Sequence, residues 1–363
     1  MGLVFLILVA VPGFYGVVFT LYAVSAARPG YKQPVIIEVH RGESPSELTQ
    51  LLSAQGVISD PEKFIWLGKL ARKWNKIKAG EYQVSPGMSP LEVFGVVTSG
   101  ISIIHPVTVR EGENMYEVAA DLETKTLTTK QDFLALCRDP RFIDSLHLGI
   151  PLKMIEAHGA LPSLEGYLYP DTYFFNRTMT ATAMIQQMVR HFVKSWTPEQ
   201  GARVKELGMS RYQIITLASM IEKETGASQE RPLISSVFYN RLKKGMKLQS
   251  DPTTIYGMWD RFTGKIHRSN LREPNPYNTY TVPALPVGPI SSPGKEAIQA
   301  ALYPVQSDYL FFVSHNDGTH EFTMNLTDHL KAVKKYQLDP RAREGKSWRD
   351  LHKRAHAAPA PKE

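Results

Sequence analysis

The sequence predicts an α+β protein with a single N-terminal transmembrane helix, a small α/β module and a larger mixed α+β domain. Three observations support this. Residues 1–27 contain no charged side chain, residues 34–100 follow a strand–helix–helix–strand order, and residues 101–338 alternate helical patterns with short apolar strands. With 363 residues, 43% of them hydrophobic and 21% charged, the chain has enough apolar material for a folded core. Residues 339–363 are predicted to form a basic, disordered tail.

The first predicted element is a membrane anchor over residues 1–27. About 20 apolar residues cross a bilayer core, and the run GLVFLILVAVPGFYGVVFTLYAV is long enough. A cleavable signal peptide is the alternative, because residues 25–27 are small enough for cleavage. The length of the run and the lack of a basic segment before it favour an uncleaved anchor. Arg28 and Lys32 follow the helix, so charge alone would weakly place the body in the cytoplasm.

The small module begins with an apolar strand, VIIEVH, and continues with a helix that opens at Ser44 before a proline. The segment PEKFIWLGKLARKW predicts a second helix, AGEYQV a returning strand, and SPLEVFGVVTSG a further short helix. These elements make a compact unit over residues 34–100.

The larger domain begins with the strand HPVTV and a helix that starts near Asn114. Extended pieces are predicted at LYPDTYFF and LQSDPTTIY, and residues 271–293 are predicted to form a long proline-rich loop, which in a compact domain is usually functional. The chain ends in a strand at YLFFVS and a helix over residues 327–337. Further helices are predicted around residues 130–145, 181–195, 197–207, 210–225, 229–244 and 294–303.

The charge distribution argues against nucleic acid as a partner. The formal net charge is +7, but the chain from Lys331 onward carries ten Lys or Arg against four Asp or Glu. The rest of the chain is therefore nearly neutral, which is unlike the basic surface of a nucleic-acid-binding domain.

The residue types also argue against metals and other cofactors. The single cysteine, Cys137, cannot form an internal disulfide or a cysteine-based zinc site. The spacing of His315, His320 and His329 matches no standard ligand pattern. No cofactor is predicted.

The strongest catalytic candidates lie in the helix YQIITLASMIEKET. Its last turn carries Glu222 and Glu224 on either side of Lys223. At 100° per residue both glutamates flank the apolar face, each about 80° from its centre, so helical periodicity does not choose between them. A carboxyl group beside an apolar wall has a raised pKa, as a general acid needs. The alternative is a pair of ordinary surface glutamates at a helix end.

Three further segments are candidates for a site. The aromatic residues and carboxylates of SLEGYLYPDTYFF suit carbohydrate faces, MKLQSDPTTIYG carries a group of polar residues, and the long-loop segment PNPYNTYTVPALPVGPISSPG is a candidate for lining a cleft. Each also has a simpler explanation: a buried aromatic cluster for SLEGYLYPDTYFF, a turn or helix cap for MKLQSDPTTIYG, and a pinned loop for PNPYNTYTVPALPVGPISSPG. Their candidate residues are Glu165 and Asp171 in the first, Gln249, Ser250 and Asp251 in the second, and Tyr277, Asn278 and Tyr280 in the third.

Five blocks, in order, resemble the endolytic murein transglycosylase (YceG-like) family. They are EGYLYPDTYFF, LASMIEKETG, SVFYNRLKKGMKLQSDPTTIYG, YNTYTVPALPVGPISSPG and DYLFFVSHNDGTHEFTMNLTDH. The resemblance covers most of residues 105–338, and the N-terminal part is similar to the family's membrane helix followed by a LysM-like module. It implies that residues 101–338 form a YceG-like catalytic domain.

The resemblance implies a polysaccharide lyase anchored by one helix in the bacterial inner membrane, with its body on the periplasmic side. Such an enzyme cuts the MurNAc–GlcNAc β-1,4 bond within glycan strands, leaves 1,6-anhydro-MurNAc ends and terminates the elongation of nascent strands. Its partners would be peptidoglycan strands, the membrane and peptidoglycan synthesis proteins. The resemblance assigns catalysis to the first glutamate of the IEKET motif, Glu222, and places Glu165, Gln249, Tyr277 and Asn278 in the cleft as substrate-binding groups.

Two other functions stay open at this point. A peptidoglycan hydrolase would use Glu222 with Glu165 or Asp251 to activate water, because ordinary glycosidases need two carboxylates. A non-catalytic wall-binding scaffold would need no glutamate in the IEKET motif.

Overall fold

The computed structural model describes residues 2–339, with side chains from residue 11 onward, and has a mixed α+β architecture. The first of its two compact units comprises residues 2–107, 122–129 and 173–184, and the second comprises residues 108–121, 130–172 and 185–339. The predicted domain limits at 34–100 and 101–338 stay a prediction. The tail predicted at 339–363 lies outside the described residues except for Asp339.

Helix α1 spans Gly2–Val24 and includes Pro12. Its last turn packs on the first unit, where the Tyr22 hydroxyl donates to the Asp60 carbonyl over 2.8 Å. Within residues 2–339, no helix combines the length and the apolar character that crossing a membrane requires. The predicted membrane anchor is therefore not confirmed.

The first unit has the predicted order of elements. Strand β1 (Val35–Val39) pairs antiparallel with β2 (Gly80–Val84), and helices α2 (Pro45–Ala54) and α3 (Pro61–Leu70) lie between them in the chain. Helix α4 (Pro90–Ser99) follows. Ser44, Asp60 and Ser89 each accept a backbone N–H at the start of α2, α3 and α4, and each is followed by proline in the first turn, which explains why these helices begin there.

An aromatic cluster forms the core of this unit. The rings of Phe64 and Phe94 stack with centroids 4.4 Å apart, and Trp74 packs edge-on against both. Helix α3 approaches this cluster through Gly68, which has no side chain to separate the helix from the rings.

A buried ion cluster in the first unit was missed by the sequence analysis. The Glu81 side chain is only 1% exposed, and its carboxylate lies 2.7 Å from His105 Nε2 and 3.3 Å from Arg177 Nη1. The three residues are far apart in the chain, so no local pattern relates them. The cluster compensates the charge that strand β2 buries.

The second unit consists mainly of helices around α11. Within this unit, β5 (Phe311–Ser314) pairs antiparallel with β6 (His320–Thr323). Strands β3 (His105–Val109) and β4 (Asp171–Phe175) form another two-stranded sheet, and the unit limits at residues 107 and 172 fall inside these two strands. The remaining helices are α5 (Met115–Thr124), α6 (Lys130–Cys137), α7 (Pro140–Ser145), α8 (Leu152–Ala157), α9 (Ala181–Ser195), α10 (Pro198–Glu206), α11 (Arg211–Glu224), α12 (Arg231–Lys243), α13 (Asp251–Gly257), α14 (Arg268–Arg272), α15 (Lys295–Leu302) and α16 (Leu326–Val333).

Two predicted elements were wrong in detail. The helix expected over 130–145 is two helices, because Asp139 caps a new helix at Pro140. The extended piece expected at LQSDPTTIY is helical from Asp251, where a proline in the first turn favours a helix start. Helices α8 and α14 and strand β6 were not predicted. The long loop predicted over 271–293 is confirmed from residue 273 to residue 293, which contain no helix or strand, whereas residues 271 and 272 belong to α14.

Helix α11 is the centre of the second unit. Ser210 and Gln213 form a capping box at its start, and residues 214–221 are all buried. The sequence analysis expected one apolar face. The structure instead surrounds the helix, mainly with α12, α13 and α15. Side chains in its last turn therefore reach different partners on different sides.

We predict that Gly68→Ala destabilises the first unit. A Cβ at this position would overlap the Trp74 ring and come within 2.5 Å of Phe94 Cζ, and overpacking of this kind costs about 1–3 kcal/mol. The measurement is thermal unfolding of the full chain. The matched control is Gly95→Ala on α4, where nothing lies within 4 Å of the new Cβ and helix propensity favours alanine. Equal melting curves for the two variants would contradict the packing argument.

Candidate active site

The candidate site lies at the C-terminal end of α11, within the second unit. Glu222 and Glu224 both belong to the last turn of the helix, and Thr225 ends it in an extended conformation. The two glutamates have different surroundings, which the sequence left undecided.

Both oxygens of Glu222 are held by donors. Arg231 Nη2 donates to Oε1 over 2.8 Å, and the Gly294 N–H donates to Oε2 over 2.9 Å. The Glu222 side chain is 6% exposed and that of Arg231 is 8% exposed. Burial raises the pKa of Glu222, while the Gly294 N–H and the Arg231 charge act in the opposite direction. Glu222 and Arg231 form a buried ion pair that links α11 to α12, and the Gly294 N–H links Glu222 to the start of α15.

Glu224 has a different environment. Its Oε1 accepts a hydrogen bond from the Ser250 hydroxyl. Burial raises the pKa of the Glu224 carboxyl to about 7; the Asp251 charge also raises it, and the Ser250 hydrogen bond and the more distant Arg241 charge lower it. In the described residues no cation lies within ion-pair distance of Glu224. This carboxyl group is therefore protonated in a large fraction of molecules at neutral pH.

Ser250 is positioned by two tethers. Arg241, at the end of α12, donates from Nε to the Leu310 carbonyl over 2.6 Å and from Nη1 to the Leu248 carbonyl over 2.8 Å. The Ser250 N–H donates to Thr279 Oγ1 over 3.0 Å. The segment before α13 is thereby fixed against both α12 and the long loop.

Gln249 lies directly beside this contact. It is exposed, and its backbone has a φ of +54°, a left-handed conformation that is uncommon for residues other than glycine. Such conformations persist where the surroundings impose them, often at functional sites. The structure thus brings Gln249 to the surface next to Ser250, where its side chain is available to a ligand.

Asn278 is buried and its hydrogen-bonding groups are occupied. Its side-chain NH2 donates to the carbonyls of Asn270, Leu271 and Glu273, and its Oδ1 accepts from Thr254 Oγ1 over 3.0 Å. These contacts fold the long loop back on itself and onto α13. Asn278 shapes the loop and, in this structure, has no free group for a substrate.

Glu165 is fully buried, with 0% exposure. Its Oε2 accepts from the Met115 N–H over 3.0 Å at the start of α5, where a helix N-terminus favours a negative charge. Burial raises the pKa of Glu165 to about 7, and the hydrogen bonds from Met115, Tyr256 and Gly166 lower it. A direct contact between Glu165 and a substrate, as expected from the sequence, is not available in this structure.

Tyr277 packs against Tyr256, with ring centroids 4.9 Å apart. Burial raises its pKa well above the ordinary value. Tyr280 is nearer to the glutamates, since its hydroxyl donates to Asp251 Oδ1 over 2.7 Å. Of the five predicted site residues, the structure thus groups Gln249 with the helix end that carries Glu222, and it places Tyr277 and Glu165 around Tyr256.

A wide cavity in the second unit has a volume of about 920 Å³, and Tyr212, Tyr239 and Pro286 are among the residues that line it. Neither glutamate lines it. In residues 2–339 no cluster of His, Cys, Asp and Glu could hold a metal ion.

Arg231 is the main functional residue that the sequence analysis missed. It contacts Glu222 and Glu296 directly, and its Nη2 lies 4.0 Å from Glu111. An arginine in the first turn of a helix gives no signal in the sequence, because the partner glutamates come from three other segments.

We predict that Arg231→Met destabilises the second unit by about 3–5 kcal/mol, because it leaves the buried Glu222 carboxylate unpaired. Adding Glu222→Gln should restore part of this loss, since the double variant buries no charge at this position. The free energy of unfolding in urea tests both. Glu296→Gln is the control: its side chain is 62% exposed, so a loss comparable to that of Arg231→Met would disprove the role of burial.

Comparison with known proteins identifies the family. The model of the YceG-like family matches residues 37–335. An endolytic murein transglycosylase of Bacillus subtilis is 32% identical over 309 residues, covering 84% of this chain and 85% of the relative. One of Streptococcus pneumoniae is 27% identical over 356 residues, and the alignment spans 63% of that longer protein.

A solved structure agrees with the sequence relatives. The crystal structure of the yceG-like protein lmo1499 of Listeria monocytogenes has a TM-score of 0.57 and 32% sequence identity, covering 83% of this chain and 99% of that chain. At this identity the similarity extends beyond the fold alone. The chain belongs to the YceG-like family.

Proposed function

We propose that this protein is a lytic transglycosylase that cleaves the MurNAc–GlcNAc β-1,4 bond within peptidoglycan strands and leaves 1,6-anhydro-MurNAc ends. The observation that carries the proposal is a single carboxyl group, Glu224, with a pKa of about 7 beside Ser250 and the exposed Gln249. The names of the Bacillus and Streptococcus relatives support it. We further propose that cleavage terminates the elongation of nascent strands.

We propose Glu224, rather than Glu222, as the acid. A general acid must be protonated near the working pH and free to face its substrate. Both Glu222 oxygens are engaged, one of them by a guanidinium that stabilises the ionised form. Glu224 has one oxygen on a neutral hydroxyl and no ion-pair partner. Glu222 then fixes the end of α11 through Arg231 and thereby positions Glu224.

The proposed reaction needs one carboxyl group. Glu224 donates its proton to the glycosidic oxygen as the bond to the anomeric carbon breaks. The C6 hydroxyl of the same MurNAc attacks that carbon, and the Glu224 carboxylate takes the hydroxyl proton. The substrate supplies the nucleophile, so the second carboxylate of an ordinary glycosidase is not required.

The surroundings of Glu224 suit a polymeric substrate. Because Gln249 is exposed directly beside Ser250, which bonds Glu224, we propose that an internal segment of a long strand approaches the acid from this side. We propose that Gln249 hydrogen-bonds a sugar substituent and that Ser250 orients the carboxyl group. We propose that Asn278 maintains the shape of the long loop and that Glu165 stabilises the start of α5, so that neither residue contacts the substrate directly.

Hydrolysis is the second candidate, and Asp251 is the observation that favours it. Asp251 is exposed and raises the pKa of Glu224, so a second carboxylate is present near the acid. Glu165 is too deeply buried to activate water. The two reactions differ in product: a hydrolase leaves ordinary reducing ends.

We also propose where the enzyme is attached and what it binds. The uncharged run of residues 1–27 supports attachment to the bacterial inner membrane, with the body on the periplasmic side. The β1–α2–α3–β2 unit supports a LysM-like, glycan-binding module. Peptidoglycan synthesis proteins are the proposed protein partners.

We predict that Glu224→Gln abolishes cleavage, with a loss of at least about 100-fold, because general acid catalysis contributes about 10²–10⁴-fold. Mass spectrometry of digested peptidoglycan measures this. Internal fragments with anhydro ends should appear with the unmodified protein and disappear with Glu224→Gln.

Glu222→Gln is the matched variant in the same helix turn. It should lower the melting temperature while retaining more anhydro product than Glu224→Gln. If Glu222→Gln is the inactive variant and Glu224→Gln is active, our assignment of the acid is reversed. Reducing ends would assign the protein to the hydrolases, and unchanged cell-wall phenotypes in both variants would favour a scaffold.

We predict that kcat/KM falls as pH rises above about 7, since the acid must be protonated and the pKa of Glu224 is about 7. Asp251→Asn should move this decline to lower pH, because the Asp251 charge raises that pKa. Rates of anhydro-end formation between pH 5 and 9 test both statements. A rate that stays constant up to pH 9 would contradict the role of Glu224.

A further inference from the structure

A small aromatic pocket in the second unit contains Arg138, which forms no ion pair within the described residues. Arg138, Tyr116, Ser163, Tyr256 and Tyr277 line it, and its volume is about 170 Å³. We call it the Arg138 pocket. None of its lining residues belongs to the α11 glutamate pair.

The donors of Arg138 are largely unused. Nη2 donates to the Tyr116 hydroxyl, and the guanidinium lies 5.2 Å from the centre of the Tyr116 ring. In the described part of the chain, no carboxylate lies within 4 Å of Arg138, and none of its nitrogens is among the buried atoms without a partner. The remaining N–H groups are therefore accessible to a ligand.

The pocket wall is rigid. The Tyr116 ring stacks on Trp259 with centroids 5.7 Å apart and meets Tyr256 at 5.9 Å. Tyr256 in turn contacts Tyr277 at 4.9 Å. A guanidinium held against such a wall presents a preorganised fork, which matches the geometry of a carboxylate.

Helix α13 connects the pocket to the proposed acid. Ser250, which bonds Glu224, directly precedes α13, and Tyr256 lies five residues beyond Asp251. At 1.5 Å per residue this is about 8 Å along the helix, a distance of one to two sugar residues. A substituent of the strand next to the cleaved bond is therefore within reach of the pocket.

We propose that the Arg138 pocket binds a free carboxylate of the peptide stem carried by the glycan strand. This rests on the proposed function and deepens it, because it makes the stem part of the recognised substrate. The volume is too small for a sugar ring with its substituents but admits a carboxylate on a short side chain. In a glycan strand that carries peptide stems, the sugars themselves have no free carboxylate, so the free carboxylates belong to the stems.

The test uses the full chain carrying Glu224→Gln, so that strands are bound and not consumed. Two probes are compared by calorimetry: uncrosslinked strands with free stem carboxylates, and the same strands with these carboxylates converted to primary amides. Because a hydrogen-bonded charge pair contributes more than a neutral contact, we expect amidation to weaken binding by about tenfold or more.

Adding Arg138→Gln should weaken binding of the carboxylate strands by a similar factor and make the two probes equivalent. Arg138→Lys, which keeps the charge but loses the planar fork, should retain part of the discrimination. Arg141→Gln is the matched control, because Arg141 is exposed in the same region. It should leave both affinities unchanged.

Equal binding of both probes by the parent, or preserved discrimination in Arg138→Gln, would overturn the proposal. If Glu224→Gln still cleaves, the same comparison is made in Glu222→Gln, so the binding result does not depend on which glutamate is the acid. If the unmodified protein releases no anhydro ends, the proposed reaction fails, whereas Arg138-dependent discrimination between the probes would still establish the carboxylate site.

Discussion

The burial of two carboxyl groups at the end of one helix is the constraint on which the rest of the second unit depends. Removing a carboxylate from water is costly unless it is paired or protonated. The protein uses both solutions. Glu222 is paired with Arg231 and the Gly294 N–H, and Glu224 remains close to its protonated form beside Ser250. Although they are two residues apart in the chain, the two glutamates have different partners and different environments.

The segments around this helix end are held by polar contacts. Arg241 fixes the chain before Gln249, and Asn278 folds the proline-rich loop onto α13. Buried polar groups that are fully hydrogen-bonded specify one arrangement of irregular backbone. The left-handed conformation of Gln249 is one consequence, since the tethers on either side determine its backbone. The exposed Gln249 therefore extends from a backbone of defined conformation, although it belongs to no helix or strand.

The helices were predictable where caps and prolines mark them, as at Ser44, Ser89 and Ser210. The helices were not predictable where the signal was ambiguous. The pair Asp251 and Pro252 suggested a turn or a helix cap, and in the structure it begins α13. The five site residues, Glu222, Glu165, Gln249, Tyr277 and Asn278, stay predictions from their motifs. The burial and the partners of Asn278 and Glu165 could not be predicted, because those partners come from other segments.

The α+β class, the order of most elements, the family resemblance and the position of two glutamates in one helix turn can all be read from the sequence. These follow from local periodicity, capping residues and motif blocks, which depend on neighbours in the chain. Which glutamate pairs with Arg231 and which has its pKa raised to about 7 depends on the folded structure. The same holds for Arg138, which has no carboxylate within 4 Å among the described residues. The physical reason is that a pKa depends on burial and on nearby charges, and α11, α12, α13 and α15 meet only when the chain is folded.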